Sequence, residues 1–388
     1  MRILISAGEA SSELYGAQLI DALRRHVPSA EFFGVGGARM QQAGCDLVID
    51  ARIYLSVVGI SEIVSKLPSI YAQFRKLIQE IDRRKPDLAV IIDSPAFNFR
   101  VARELHHRGI PVIYYVTPQL WAWRQYRVER VRKWVTKALP IFPFEEKFFR
   151  DNGVDAEYVG HPLADMPPPN ITREQFADEF KLDVTRPWIA ILPGSRRKEV
   201  KMNLPAMLDA AAELGDDYEY LLPVASTIHP GWLASRLRNS SQRIHLVSDS
   251  FATMKHSRAS IVASGTATVE AALSGTPFVV VYRVSPVTWQ LGHRLLKVPF
   301  VAMPNLIAGQ EIVPELLQHD FTSKRVVECL RPLLEETPQR TTVIKDLEAV
   351  QTQLKQQKGP GTAADRAATA ALKVLEGTSK PHQKKSRA

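Results

Sequence analysis

Residues 261–283, IVASGTATVEAALSGTPFVVVYR, read as an apolar strand, a Gly265-Thr266 turn, a helix carrying Glu270, a Gly275-Thr276-Pro277 break and a second apolar strand. Uninterrupted apolar strands around one helix are the pattern of parallel strands covered on both faces. The first amide N–H groups of such a helix lack partners within it, so a strand opening into it through small residues makes an anion site. Nothing in the stretch resembles GxxxxGK[ST], so no P-loop is expected. The reading is a βαβ unit able to hold a nucleotide diphosphate without a Walker lysine.

The same style runs outward in both directions. In the first half, 2–6, 88–92 (LAVII) and 111–116 (PVIYYV) read as strands, and Leu14, Ala17, Ile20 and Leu23 recur at helical spacing. In the second half 188–192 (WIAIL), 220–223, 260–263 and 277–282 repeat the pattern. Met166-Pro167-Pro168-Pro169-Asn170 is the clearest punctuation and predicts a linker. The expected division is 1–166, 171–358, a C-terminal helix over 359–376 and a disordered basic tail over 377–388. Two doubly wound α/β halves would face a cleft with the carboxyl ends of both sheets.

At 388 residues each half is large enough for its own core. Net charge +9 and pI 9.5 point to anionic partners: phosphate, nucleic acid or anionic lipid. No run of eighteen apolar residues predicts a membrane span, and MRILISAGEAS lacks the long apolar region of a signal peptide. Cys45 and Cys329 are isolated and read as two inert thiols in a reducing cytoplasm.

Several residues could carry chemistry. In Leu192-Pro193-Gly194-Ser195-Arg196, Gly194 permits a sharp turn after a buried strand. Arg196 could then pair bidentately with phosphate oxygens, or the run is a solvated basic loop. Ser264, Gly265 and Thr266 offer amides and hydroxyls. Glu270 is either a dipole-stabilising acid or a ligand of ribose hydroxyls, with the first reading ahead on the residues alone. Asn305 is a turn residue or a phosphate contact. Asp93 ends the strand LAVIID, and Ser94-Pro95 reads as an N-cap with proline at the first helical position. That leaves Asp93 as a candidate general base, its alternative being a second capping acid. Gly8-Glu9-Ala10-Ser11 forms a small-residue turn after the first strand.

Two stretches bear on membranes. Val57, Ile60, Ile63, Val64 and Leu67, then Ile70, Phe74, Leu77 and Ile81, share a helical face near Lys66, Arg75, Lys76 and Arg83-Arg84-Lys85. Such a stripe is core or a membrane face. Trp121, Trp123, Arg124, Tyr126 and Arg127 mix aromatics with arginines, as at an anionic lipid interface or a nucleic-acid face. No nucleic-acid module is recognisable, so no nucleic-acid partner is expected.

Taken together AGEAS at 7–11, IDSPAFN at 92–98, TPQLWAWR at 117–124, GHPL at 160–163, LPGSR at 192–196, SGTATVEAAL at 264–273 and MPNLIAG at 303–309 resemble the lipid-A-disaccharide synthases, glycosyltransferase family 19. The match runs in order from about residue 3 to 375. The resemblance implies a GT-B fold of two Rossmann-like domains, the first for acceptor and lipid, the second for UDP-sugar. It implies transfer of 2,3-diacylglucosamine from UDP-2,3-diacylglucosamine to 2,3-diacylglucosamine 1-phosphate, giving a β-1,6 disaccharide phosphate and UDP. By position, Asp93 becomes the base. Gly194, Ser195, Arg196, Gly265, Thr266, Glu270 and Asn305 become the UDP side. Glu9, Ser11, Trp123 and Arg124 become acceptor-side candidates, and Val57, Ile60 and Val64 the membrane face. A peripheral enzyme on the cytoplasmic face of the inner membrane, and a homodimer exchanging C-terminal segments, are also implied. The family's first turn usually continues Gly-Asp where Ser12-Glu13 stands here, and Ala96 replaces an acid after the base.

The expected mechanism is a single inverting displacement with no metal or cofactor, since no Asp-x-Asp signature is present. Arg196 and the helix amides after Gly265 would stabilise the leaving UDP. Two alternatives remain at this point. One is another UDP-sugar enzyme of the same architecture, such as a UDP-GlcNAc 2-epimerase or a soluble-acceptor transferase. The other is a non-catalytic basic membrane adaptor.

Overall fold

The computed structural model describes residues 1–51, 60–238, 240–286, 289–290, 297–356 and 359–379, with backbone only at 10–11, 60–67 and 378–379. The chain packs as two compact units, Met1–Asp165 with the segment from Leu354 onward, and Met166–Gln353. The boundary falls at the proline run.

The first unit is built on six parallel strands: β1 (Arg2–Ala7), β2 (Glu31–Gly36), β3 (Cys45–Asp50), β4 (Leu88–Ile92), β5 (Val112–Tyr115) and β6 (Lys137–Leu139). Their order is β3-β2-β1-β4-β5-β6. Strands β1 and β4 are largely apolar and buried because they lie at the centre, with helices over both faces. Val35, Ile91, Val101, Leu105, Tyr114 and Phe149 belong to one continuous core.

The second unit repeats the plan with β7 (Trp188–Leu192), β8 (Glu219–Pro223), β9 (Ile244–Val247), β10 (Ala259–Ala263), β11 (Phe278–Tyr282) and β12 (Glu315–Leu317), ordered β12-β11-β10-β7-β8-β9 and parallel throughout. In each unit the order reverses once, between β1 and β4 and between β7 and β10. An open sheet of this kind binds ligands beyond the carboxyl ends at that reversal. The registers put Ala7 beside Ile92 and Leu192 beside Val262, so the two loops flanking each reversal start side by side.

Two expectations change here. The C-terminal helix, Ala363–Ser379, is not a separate segment. Ala363, Ala367, Ala368 and Ala371 are buried, Arg25 pairs with Asp365, and buried Arg366 donates from Nε to the Val159 carbonyl at 2.7 Å. Small alanines let this helix lie close on helix Ala10–His26 of the first unit. The apolar stripe of helix Ile60–Arg84 is core in its second half. Leu77 and Ile81 are buried, with Phe74 packed against the same cluster. Arg84 pairs with Asp46 and Glu80, both at 2.6 Å, so the nearby basic cluster is partly neutralised. Val57 lies outside the described residues, and Ile60 and Val64 fall where the backbone alone is described.

Candidate functional site

In the second unit the loop after β7 carries Gly194, Ser195 and Arg196 into helix Arg197–Leu214. Gly194 has φ +116°, a conformation that favours glycine. A Cβ there would also sit 2.7 Å from Glu199 Cβ. The Ser195 and Arg196 amides donate to Glu199 Oε2 at 3.1 and 3.2 Å. Arg196 Nη1 donates to Glu199 Oε1 at 3.2 Å. The loop's carbonyls are also held, Pro193 by Asn203 Nδ2 at 3.0 Å and Ser195 by the Thr227 hydroxyl. What this loop offers outward is the half-exposed Arg196 guanidinium and exposed Ser195.

Beside it, the loop after β10 opens into helix Ala267–Ser274. Gly265 has φ +139° and faces open space, and Thr266 is exposed at the N-cap without a side-chain cap bond. The amides of Thr268 and Val269 already donate to the Gly265 and Thr266 carbonyls, both at 3.0 Å, so what the turn offers outward is the exposed Gly265-Thr266 corner itself. Glu270 is largely buried. Burial, and then the nearby Asp249 charge, raise its carboxyl above the usual range, while Ser250 Oγ donates to Oε2 at 2.7 Å. A carboxyl so placed accepts hydroxyl hydrogen bonds, the chemistry a ribose diol requires.

The segment 301–305 is tied to the same loop. Ser264 Oγ donates to the Val301 carbonyl at 3.2 Å, and the Met303 amide to Thr268 Oγ1 at 3.4 Å. Asn305 itself turns inward. It is fully buried, its Nδ2 donates to Val313 O and Glu315 Oε1, and its Oδ1 accepts from the Ile312 and Val313 amides. An amide side chain has two donors and two acceptor positions, and all are used within the protein. Asn305, read from the sequence as a turn residue or a phosphate contact, thus spends its amide on ordering the 301–305 segment. Glu315 completes the arrangement by accepting the Val301 and Ala302 amides, both at 2.9 Å.

In the first unit, Asp93 follows β4 and Glu9 follows β1, the two strands at the reversal. Asp93 and Ser94 have φ +47° and +45°. Consecutive non-glycine residues in this region cost about 1–3 kcal/mol each and persist only where the surroundings impose them. The imposing groups are visible. The Asp93 carbonyl accepts from Asn98 Nδ2 at 2.8 Å and from the Tyr114 hydroxyl at 2.9 Å, while its amide donates to the Val116 carbonyl at 3.1 Å. Asn98 is in turn fixed by Ser6 Oγ, which donates to Oδ1 at 2.7 Å. Burial, then the Asp93 charge, raises the Tyr114 phenol well above its ordinary range. Ser94 occupies the cap position of helix Pro95–His107 in a left-handed conformation and makes no side-chain cap bond. Pro95 stands in the first turn as expected.

Val116 and Arg124, at φ +54° and +52°, follow β5. Strained backbone therefore gathers at the carboxyl edge of β4 and β5, as it does at working sites. The stretch TPQLWAWR divides here. Trp121 is buried and donates from Nε1 to Glu145 at 2.9 Å. Trp123 is 40% exposed, with the Arg124 guanidinium 4.4 Å from its ring centre. Glu145 is wholly buried, accepts the Ile141 and Phe142 amides and is pushed up to about 7, burial being the main cause. His161 of the GHPL stretch is buried against Tyr15 and Phe142 and pushed down to about 3 by burial. It is a neutral structural imidazole. Glu9 is exposed at the N-cap of helix Ala10–His26, and Ser11 lies in that helix's first turn. Glu13, at one of the departing positions, accepts the Arg39 amide at 2.6 Å at the start of helix Ala38–Gln42. Ala96, the other, is exposed.

Sequence reading missed Asn98, Tyr114, Glu145, Glu199 and Glu315, all of which hold backbone. Only Glu199 and Glu145 had a signal, an acid three residues past a helix start.

A model of the lipid-A-disaccharide synthetase family matches residues 3–371. The lipid-A-disaccharide synthase of Koribacter versatilis is 52% identical over 379 residues, covering 97% of this chain and 99% of that protein. That of Acidobacterium capsulatum is 48% identical over 93% of both chains. Among solved structures, a UDP-GlcNAc 2-epimerase from Neisseria meningitidis bound to UDP-GlcNAc superposes with TM-score 0.64, at 13% identity over 97% of this chain and all of that one. The glycotransferase of kitacinnamycin superposes with TM-score 0.65, at 14% identity over 96% and 98%. At such identities these likenesses speak for the GT-B type of fold alone. The epimerase and adaptor alternatives are not favoured, because the family model and both near-full-length relatives are of one kind. The chain belongs to the lipid-A-disaccharide synthetase family.

Proposed function

We propose that Asp93 is the general base of an inverting hexosyl transfer and that the carboxyl edge of β7 and β10 holds UDP. The nucleotide-sugar donor is UDP-2,3-diacylglucosamine and the lipid acceptor is 2,3-diacylglucosamine 1-phosphate. Asp93 takes the proton of the acceptor 6-hydroxyl as its oxygen bonds to the donor's anomeric carbon. The bond from that carbon to the β-phosphate oxygen breaks, and UDP leaves with the bonding pair. The Arg196 guanidinium, the Ser195 hydroxyl and the Gly265-Thr266 corner at the mouth of helix Ala267–Ser274 receive the growing phosphate charge. Glu270 accepts the ribose hydroxyls.

The observation that carries the reading is Asp93 held left-handed at the strand reversal by Asn98 and Tyr114. Spending local strain to aim one carboxylate has a reason if that carboxylate must meet a hydroxyl at hydrogen-bond distance. Glu9, Ser11, Trp123 and Arg124, around the same edge, are proposed to engage the acceptor. Asp93→Asn keeps shape and removes basicity. It should lower turnover by at least about 100-fold, within the range general bases supply, and leave UDP affinity unchanged. Activity within about three-fold of wild type would remove Asp93 as base.

Membrane docking on the cytoplasmic side, through Val57, Ile60 and Val64 with Trp123 and Arg124, is part of the proposal. An exposed tryptophan under a guanidinium suits an anionic headgroup layer, as does the net charge of +9. Among the described residues no helix is long and apolar enough to cross a membrane. A homodimer formed by exchanging the C-terminal segment completes it, and light scattering at micromolar protein would decide that point.

A further inference from the structure

Glu199 holds the place where an anion would be expected. One carboxylate oxygen accepts the Ser195 and Arg196 amides, and the other pairs with the Arg196 guanidinium at 3.2 Å. The Glu199 side chain is mostly buried and the arginine half exposed, so the acid faces the loop and the guanidinium is reached from solvent. A phosphate oxygen bound to that guanidinium would lie about 5–7 Å from the Glu199 carboxylate, given ordinary lengths for charge-assisted hydrogen bonds. At that range two like charges repel appreciably even near a surface.

We propose that Glu199 is a resident counter-anion that weakens the grip of Arg196 on the diphosphate, so that UDP leaves after transfer. The acid does two separable things. As an acceptor it fixes the loop's amides, which sets where Arg196 stands. As a charge it shares the guanidinium with the nucleotide, which keeps product affinity moderate. Glu199 is thus a positioning residue, and its charge tunes release. The inference rests on the assignment of Arg196 to UDP.

Calorimetric titration of UDP into wild type, Glu199→Gln, Glu199→Asp, Arg196→Ala and the Arg196→Ala/Glu199→Gln double variant tests it. Glutamine keeps a carbonyl acceptor for both amides, and loses the charge together with the oxygen that paired with Arg196 Nη1. It should bind UDP about ten-fold tighter, the size of one like-charge repulsion near a surface. Aspartate keeps the charge and should not tighten binding. In the Arg196→Ala background the glutamine substitution should change nothing, and Glu199→Gln turnover should fall in step with the slower release. Unchanged or weaker UDP binding by Glu199→Gln, or tightening by Glu199→Asp as well, overturns the inference. If Arg196→Ala binds UDP as wild type does, the UDP assignment itself has failed.

Discussion

Replacing Asn98 by alanine should disable the site without touching any group that meets substrate. Asn98 is fully buried in the first turn of its helix. Its Nδ2 holds the carbonyls of Asp93 at 2.8 Å and Ile92 at 3.0 Å, and its Oδ1 takes the Ser6 hydroxyl at 2.7 Å. Each such bond is worth about 1 kcal/mol net, and a dry partner left unsatisfied costs more, so the loss should be about 3 kcal/mol. The left-handed Asp93-Ser94 pair then loses a principal restraint, and relaxation of its backbone would move the carboxylate by on the order of 1 Å, enough for about a 100-fold loss of turnover. Urea unfolding followed by circular dichroism gives the first number, and initial rates measured well below the thermal transition give the second. A stability loss below about 1 kcal/mol, or turnover within about three-fold of wild type in folded protein, would show that Asn98 does not hold Asp93 in place.

Further outcomes follow from other parts of the two units. Glu145→Gln should flatten the stability profile between about pH 4.5 and 7. In wild type the buried carboxyl stays protonated in that window while the unfolded one ionises, so stability falls as pH rises through it; thermal midpoints across that window measure this. Gly265→Ala meets no atom within 4 Å, so only backbone strain opposes it. It should lower stability by about 1–2 kcal/mol and weaken UDP binding, and normal UDP affinity would detach this turn from the nucleotide. Asn305→Ala should cost about 3 kcal/mol in the second unit, since four hydrogen bonds vanish from a dry site. Replacing Val57, Ile60 and Val64 together by serine should release the protein from anionic vesicles at unchanged thermal midpoint; loss of folding would instead make that stripe core.

Much of the fold was legible because β1, β4, β7, β10 and β11 are central strands, and short apolar runs bounded by turn residues and helices fit little besides a buried parallel strand. The edge strands were less visible. Strand β12 is three residues long and begins with Glu315, and β3 carries Asp46 and Asp50, so neither shows a continuous apolar signal. Strand ends also located Asp93, Arg196 and Gly265. What could not be read were groups that set local geometry through partners distant in sequence, such as Ser6 for Asn98 and Val301 for Glu315. Asn305 stayed open between a turn residue and a phosphate contact although its partners, Ile312, Val313 and Glu315, lie close by in sequence. An asparagine before an apolar helix looks alike whether it faces a ligand or closes four bonds inside the protein.

The most direct test is incubation of the purified protein with UDP-2,3-diacylglucosamine and 2,3-diacylglucosamine 1-phosphate, with products weighed by mass spectrometry. Acceptor-dependent formation of one disaccharide phosphate and one UDP for each donor consumed is the expected result. Donor epimerised or hydrolysed without any disaccharide, at a rate indifferent to acceptor, would contradict it.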